Sequence, residues 1–476
     1  MTPAHHRIIW WLRRDLRLSD NQALDAAQRD AGEVIPLYVL DPFFRQSRFY
    51  STRRAAFLHG GLQAIDLDLQ KRGGRLIVRS GDPVTVLQEV AAESGASVIY
   101  AEADYSPYAR RRDQRVSALL PLQVFGGTCF RSPGTITKDD GTPYSVYSPF
   151  MRKWKALGLS DALAPLPAPD HISTPVAIRS EAQPAAGQAT SSGFPPGEQE
   201  AQSRLQKFSE QHPDGIFDYH EQRNRLDLEG TSQLSPYLRF GMLSVRQAIA
   251  AVYWAMQAAG SSEDLRGGAE SWLNELIWRE FYISIMYHHP QVLKRSFKVS
   301  YDNILWQNDE SDFDAWRKGK TGYPIVDAAM RQLTASGWMH NRGRMIVASF
   351  LVKNLLIDWR WGEQWFMHQL IDGDPAANNG GWQWTAGTGT DAAPYFRVFN
   401  PILQSRKFDP HGTYIRKWSP ELAQVPDKYI HTPWKMPLEV QQASDCIMGE
   451  DYPLPIVDLQ TSRQRALAAY AVVRKA

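Results

Sequence analysis

Cysteine is nearly absent from this chain. Cys129 and Cys446 are its only two and stand far apart, so neither a disulfide framework nor a metal-ligand spacing is present. No metal site is expected, and the cysteine usage fits a reducing, cytoplasmic setting. Long uncharged apolar runs are missing too, which leaves no membrane-spanning helix in the sequence. The short run Ile8-Ile9-Trp10-Trp11-Leu12 meets Arg13, Arg14 and Asp15 at once and lacks a cleavage site, so it reads as a strand, not a signal. No Gly-x-Gly-x-x-Gly follows that strand, and the usual dinucleotide fingerprint is therefore excluded. Charge of one sign is also scarce: a net +2 neither indicates nor forbids a polyanionic partner, because a basic face can hide in a balanced total. What the chain does have is bulk. With 476 residues, 43% of them hydrophobic, it can bury the cores of about two domains, and most of its 16 tryptophans fall after residue 250.

Short β-branched or apolar runs at Arg7–Leu12, Val34–Leu40, Arg75–Arg79, Ser97–Ala101 and Leu122–Phe125 alternate with helix-like stretches around 21–31, 52–72, 83–95 and 109–120. That alternation predicts an α/β, Rossmann-like parallel-sheet domain over residues 1–130. The triple Arg110-Arg111-Arg112 reads as a solvated helix face. Residues 131–202 form a long connector, richest in Pro, Ala, Ser, Gly and Gln from Ser160 to Gln202. An all-α domain is expected over 203–476, with helical periodicity at 236–259, 269–289, 323–336, 342–358 and 361–371. The tail reads as an extended clasp around residues 452–458 and a last helix, Arg463–Val473.

Three stretches of the helical part carry candidate chemistry. Thr231-Ser232-Gln233-Leu234-Ser235-Pro236 sets hydroxyls just ahead of a helix, where they serve either as a plain N-cap or, with the free N–H groups, as an anion site. In Ser271–Tyr282, Leu273, Ile277 and Phe281 share one helix face while Glu275, Trp278, Arg279 and Tyr282 share another. An acid, an indole and a guanidinium on one face suit a flat, phosphate-bearing ligand; the plainer reading is a Glu–Arg pair beside a core tryptophan. The third stretch, Trp338–Pro401, runs from Asn341, Arg342 and Arg344 through an apolar helix to Asp372-Gly373-Asp374, Asn378, Trp382 and Trp384 among glycines, a mixture that suggests a lined pocket.

These stretches, with Trp11-Leu12-Arg13-Arg14-Asp15-Leu16-Arg17-Leu18-Ser19-Asp20-Asn21 and Thr321-Gly322-Tyr323-Pro324-Ile325-Val326-Asp327-Ala328-Ala329-Met330-Arg331, resemble the DNA photolyase and cryptochrome family over nearly the whole chain. Within it, the resemblance is closest to the class I enzymes acting on cyclobutane pyrimidine dimers. It implies that the first domain is an antenna domain and that the helical domain binds FAD, used reduced. Carried over residue by residue, it implies FAD contacts at Tyr219, Thr231, Ser232, Gln233, Leu234, Ser235, Trp272, Arg344, Asp372, Gly373, Asp374 and Asn378, with Arg344 paired to Asp372 and Asn378 facing flavin N5. Trp382, Trp359 and Trp306 match the family's electron-carrying chain of indoles.

The resemblance implies UV-damaged DNA as partner of a monomeric protein, with the flipped-out dimer meeting Glu275, Trp278 and Trp384. Asn341 and Met345 stand where the branch acting on 6-4 photoproducts carries its acid histidines, which points to cyclobutane dimers. Arg342 is expected at the lesion or its phosphate, and Arg223, Arg279, Tyr282, Lys294, Arg397, Gln404 and Lys407 are further candidate DNA contacts. The expected activity is that of a deoxyribodipyrimidine photo-lyase, with Glu275 stabilising the dimer radical anion. The alternatives are a cryptochrome-type blue-light photoreceptor, against which the intact lesion residues and the end of the chain at Ala476 weigh, and a non-catalytic DNA-binding protein. For a second antenna chromophore, Tyr105-Ser106-Pro107-Tyr108-Ala109-Arg110 and Phe44 depart from the folate-binding pattern, so a deazaflavin is expected in preference to methenyltetrahydrofolate.

Overall fold

The computed structural model of the chain describes residues 4–159, 163–185, 193–210 and 215–475. Five parallel strands, β1 (His5–Leu12), β2 (Ala31–Leu40), β3 (Ile77–Ser80), β4 (Val98–Glu102) and β5 (Leu122–Phe125), form one sheet in the order β3-β2-β1-β4-β5. Ile9 lies opposite Ile35 on one side and Ile99 on the other, and all three are essentially buried. Helices on both faces exclude water from the inner strands, which is why β1, β2 and β4 carry continuous buried apolar runs, whereas the edge strand β5, Leu-Gln-Val-Phe, stays partly exposed. The crossovers are made by α1 (Gln22–Asp30), α2 (Pro42–Gln46), α3 (Thr52–Gln70), α4 (Pro83–Ser94) and α5 (Pro107–Ser117). Side-chain caps from Asn21, Ser51, Asp82 and Ser106 start four of them, so strand ends and helix starts are fixed by local chemistry. One expectation fails here. Arg110 and Arg111 face solvent, but Arg112 is buried with Ala109 and Val116 and lies 4.7 Å over the Trp11 ring, because spacings of three and four put it on the inner face of α5.

Of the expected connector, residues 160–162 and 186–192 lie outside the described residues. The described part is pinned to the sheet domain: Val34 donates to Ser173 O, Ile172 to Arg72 O and Glu181 to Val78 O. It also contains α6 (Tyr147–Ala156) and the start of α7 (Glu198–Glu210).

The chain divides into two compact units, one of residues 1–220, 231–290 and 371–376, the other of 221–230, 291–370 and 377–476. The first holds the sheet with α9 (Ser235–Phe240), α10 (Val245–Ala258) and α11 (Glu263–His288); α8 (Tyr219–Gln222) precedes them. The single helix expected over 236–259 is two. Gly241 ends α9 in the left-handed region at φ +65°, where a Cβ would overlap the Arg14 carbonyl, and Ser244 with Gln247 closes a capping box that starts α10.

The second unit contains α12 (Glu310–Arg317), α13 (Pro324–Ser336), α14 (Asn341–Ser349), α15 (Trp359–Gln369), most of α16 (Pro375–Ala386), α17 (Pro401–Phe408), α18 (Thr413–Trp418), α19 (Leu438–Ala443) and α20 (Leu459–Lys475). The helix expected over 342–358 is also broken. After α14 the chain widens into a π-helical turn, Phe350–Asn354, then leaves the helix with Leu356 at φ +53°, and Asp358 caps α15 through the Arg360 amide. The tail behaves as a clasp: Ile456 donates to Thr321 O before α20 begins. Among the described residues no helix is long and apolar enough to cross a membrane.

Candidate functional site

In the first unit, α11 sorts its residues as their spacing predicts. Leu273, Ile277 and Phe281 are buried, whereas Glu275, Trp278, Arg279 and Tyr282 are half-exposed. Arg279, however, donates to the Thr128 carbonyl at 2.5 Å and so ties α11 to the segment after β5. Trp278 and Tyr282 lie 5.4 Å apart. Trp272 is 3% exposed and, like Tyr219, packs against Phe208, at centroid distances of 5.0 and 5.9 Å.

The segment before α9 differs from a plain cap. Leu234 occupies the N-cap position, no side chain caps the helix, and Gln233 takes φ +51°. Thr231, Ser232 and Gln233 are half-buried and Ser235 is exposed. The hydroxyls therefore do not do the capping that the plainer sequence reading assigned them.

Asp372, Gly373 and Asp374 sit in the same unit, the last two within a half-buried group of opposite charges. Arg14 pairs with Asp374 at 2.6 Å and approaches Asp104 at 3.6 Å, and Arg239 donates to Gly373 O at 3.0 Å. Burial opposes the Arg14 charge, but Asp374 and Asp104 outweigh it and raise its pKa. Arg239 and Arg54 are instead pushed down, to about 9 and about 10, by burial. Asp374 also accepts from Ala376 N at 2.9 Å and so caps the start of α16.

The second unit carries the remaining candidates. Asn378 Nδ2 donates to the Glu363 carbonyl at 3.0 Å, which fixes the amide and leaves its oxygen as the acceptor. Four residues on and therefore on the same face, Trp382 is 2% exposed and packs edge-on to Phe366 at 5.0 Å. The adjacent face of α16 is bolted down by Asn379, which donates to Val292 O and Glu363 Oε1, and by Gln383, which donates to Val292 O. Trp359, 1% exposed, and Trp382 belong to one apolar core, and Trp306 packs partly buried at its margin. Exposure thus rises from two interior indoles to one at the edge. Trp384 is half-buried.

On α14, Asn341 is exposed and Met345 half-buried on the same face. Arg344 Nε donates to Met339 O at 2.8 Å; Arg342 donates to Asn224 Oδ1 and lies 4.5 Å over the Phe408 ring. Lys294, Arg397 and Lys407 are exposed, and Arg223 and Gln404 half-buried.

Several residues with a part in this arrangement gave no readable signal in the sequence. Lys353, in the π turn, is 1% exposed, donates to Ala386 O at 3.0 Å at the end of α16, and is pushed down to about 7 by burial. His340, 4% exposed, caps α14 by accepting from Arg342 N, and burial together with Arg342 and Arg344 lowers it to about 4. Its neighbour being Asn341, the only histidine of this turn is a neutral cap. A lowered pKa means that its stabilising effect is intact above about pH 6.5 and is lost as the pH falls toward 4, by up to about 3 kcal/mol. His340→Asn keeps a capping acceptor without the titration, so its unfolding free energy, followed against pH, should decline less than the wild type's in that window.

Two family models match the chain. The model described as DNA photolyase matches residues 8–170, and that described as FAD binding domain of DNA photolyase matches 272–472. The deoxyribodipyrimidine photo-lyase of Escherichia coli is 42% identical over 98% of each chain. Among solved structures, a bacterial class III photolyase from Agrobacterium tumefaciens superposes with a TM-score of 0.90 at 39% identity, covering 100% of this chain and 99% of that one. A Synechocystis cryptochrome gives 0.87 at 31% identity, covering 98% and 100%. With the sheet, the helical FAD-binding region and the full-length matches in agreement, the chain belongs to the DNA photolyase and cryptochrome family.

Proposed function

We propose that the chain repairs cyclobutane pyrimidine dimers in DNA with light, using reduced FAD. The residues fit that cofactor: the turn at 231–235 sets hydroxyls and backbone N–H groups ahead of α9, donors suited to phosphates, and Asn378 presents a carbonyl oxygen held by its bond to Glu363. Bound, the reduced flavin supplies on absorbing blue or near-ultraviolet light an electron that opens the cyclobutane ring and is then returned, so no net redox change results. Thr231, Ser232, Gln233, Leu234 and Ser235, with Tyr219, Trp272, Arg344, Asp372, Gly373 and Asp374, hold the cofactor in this reading. Glu275, as the carboxylic acid, donates to a pyrimidine carbonyl and stabilises its developing charge, Trp278 and Trp384 stack on the extruded bases, and Asn341, Arg342, Met345 and Tyr282 border the lesion. Arg223, Arg279, Lys294, Arg397, Gln404 and Lys407 are backbone contacts in the same proposal.

The observation that carries this reading is the half-exposed face of α11, with Glu275, Trp278 and Tyr282 turned outward over a buried Leu273, Ile277 and Phe281. A helix built only to pack would not leave that set in reach of solvent. Asn341 and Met345, neither of which can act as an acid, support cyclobutane dimers over 6-4 photoproducts, whose repair needs one. The likeness to a cryptochrome supports the fold and the flavin equally well under a signalling role; repair itself separates the two. Irradiating a dimer-containing oligonucleotide with the reduced protein should restore the pyrimidine absorbance; no recovery under saturating light would reject repair and leave the photoreceptor reading. Glu275→Ala should lower the repair yield per photon about tenfold with flavin still bound, the size expected for losing a charge-assisted hydrogen bond in a dry site.

A second chromophore is part of the proposal, a deazaflavin in preference to methenyltetrahydrofolate. Tyr108 stacks on Phe43 at 3.9 Å with its hydroxyl on Asp41, and Phe44 is 50% exposed beside them, an aromatic surface without the folate-type residues. The absorption spectrum of the purified protein distinguishes the two.

A further inference from the structure

Trp278 is held from behind by a residue far away in sequence. Tyr147, at the first position of α6 and 7% exposed, lies parallel to the Trp278 indole, with ring centroids 3.6 Å apart and planes 7° apart. Phe281 meets both rings edge-on, 5.8 Å from Tyr147 and 5.6 Å from Trp278. The Tyr147 hydroxyl donates to the Asn274 carbonyl at 2.8 Å. Within a helix that carbonyl is also the acceptor four residues before the Trp278 amide, so Tyr147 grips both the ring and the turn that carries it.

Ordinary core packing accounts poorly for this geometry. Aromatic pairs usually settle in offset or edge-on arrangements with centroids about 4.5–7 Å apart, and a closer, nearly parallel overlap needs something to impose it. The rest of α6 supplies that constraint. Phe150 packs on Phe281 at 5.3 Å, Trp154 Nε1 donates to Glu280 at 2.6 Å, and Lys155 pairs with Glu270 at 2.7 Å. Glu280 is itself buried and accepts from the Phe130 amide. Helix α6 is thus fastened along α11, and Tyr147 has no freedom to drift from the indole. One face of Trp278 is covered while the residue as a whole stays half-exposed.

We infer that Tyr147 is a positioning residue that fixes the indole plane of Trp278 and leaves it one open π face, to be occupied by the flat base of a damaged DNA strand. The inference rests on the repair reading above. It gives the helix between the sheet and the helical region a role in substrate specificity: stacking energy depends on the two planes being parallel, and an indole already fixed loses no rotamer freedom when a base arrives.

The test uses the full, flavin-loaded chain and an oligonucleotide bearing one cyclobutane thymine dimer. Tyr147→Leu should raise KM roughly two- to tenfold, the range of one aromatic pair, with the yield per absorbed photon at saturation unchanged. Tyr147→Phe, which keeps the stack, should restore KM to within about twofold of wild type, and Tyr147→Leu in a Trp278→Ala background should add nothing. Near-ultraviolet circular dichroism provides a readout that does not need repair: the band of the coupled pair should vanish in Tyr147→Leu and persist in Tyr147→Phe. A wild-type KM or an undiminished band in Tyr147→Leu overturns the inference, as does an equal effect of that change with and without Trp278, or joint loss of flavin and yield, which marks a residue of general packing. Failure of the repair reading shows instead in the wild-type chain, as DNA that light does not restore.

Discussion

Replacing Trp382 by phenylalanine should slow light-driven reduction of oxidised bound flavin by on the order of a hundredfold or more, while protein reduced beforehand with a chemical reductant still repairs dimers. The reasoning is electronic. An indole gives up an electron far more readily than a phenyl ring, and each ~59 mV of added potential costs a factor of ten in a one-electron equilibrium. Trp382 and Trp359 are two of the three buried indoles of the second unit's core, with Trp306 at its margin; in the proposed path Trp382 is the innermost, so removing it leaves the outer two intact but without the first step. The substitution is mild as packing: Phe366 and Trp316 already surround the site, and the loss should stay well below the roughly 3–5 kcal/mol of truncation to alanine. Transient absorption after a blue-light pulse, compared with repair under reductant, checks both halves. Equal photoreduction in wild type and variant would remove Trp382 from the electron path.

The inner strands were legible in the sequence because a buried parallel strand has a composition that solvent-facing segments do not share, and all five strands appeared within a few residues of their predicted places. The two faces of α11 were legible for the same reason, since burial and spacing are local properties of one helix. What the sequence concealed depends on tertiary context. Nothing in Phe350–Leu356 announces a π turn; Leu356 at φ +53° is a conformation its neighbours impose. Arg112 read as solvated because three arginines in a row do not reveal which of them the helix turns inward onto Trp11. The hydroxyls at 231–235 looked like caps, yet Leu234 holds that position. Tyr147, 131 residues before Trp278, carries no mark in its own segment; only the packing of α6 on α11 connects them.

Gly362 gives a prediction whose sign is opposite to the usual one. Replacing a glycine inside a helix by alanine ordinarily stabilises a protein by about 0.5–1 kcal/mol, because the unfolded chain has less freedom to lose. Gly267, inside α11 with nothing within 4 Å of an added Cβ, should follow that rule. Gly362, inside α15, should not. A Cβ there would overlap Trp382 Cη2 and lie 2.7 Å from Leu351 Cδ2, and neither neighbour can retreat, since Trp382 is held by Phe366 and Trp316 and Leu351 is fully buried. Gly362→Ala should therefore cost about 1–3 kcal/mol, and Gly362→Val about 3 kcal/mol or more, typical of overpacking where the core cannot yield. The indole must turn to admit the new group, so photoreduction should fall together with stability even though no tryptophan has been changed. Denaturant titration of Gly362→Ala, Gly362→Val and Gly267→Ala, with flavin photoreduction recorded for each, tests the claim: a stabilised Gly362→Ala with normal photoreduction would mean that Trp382 is not confined by α15 at all.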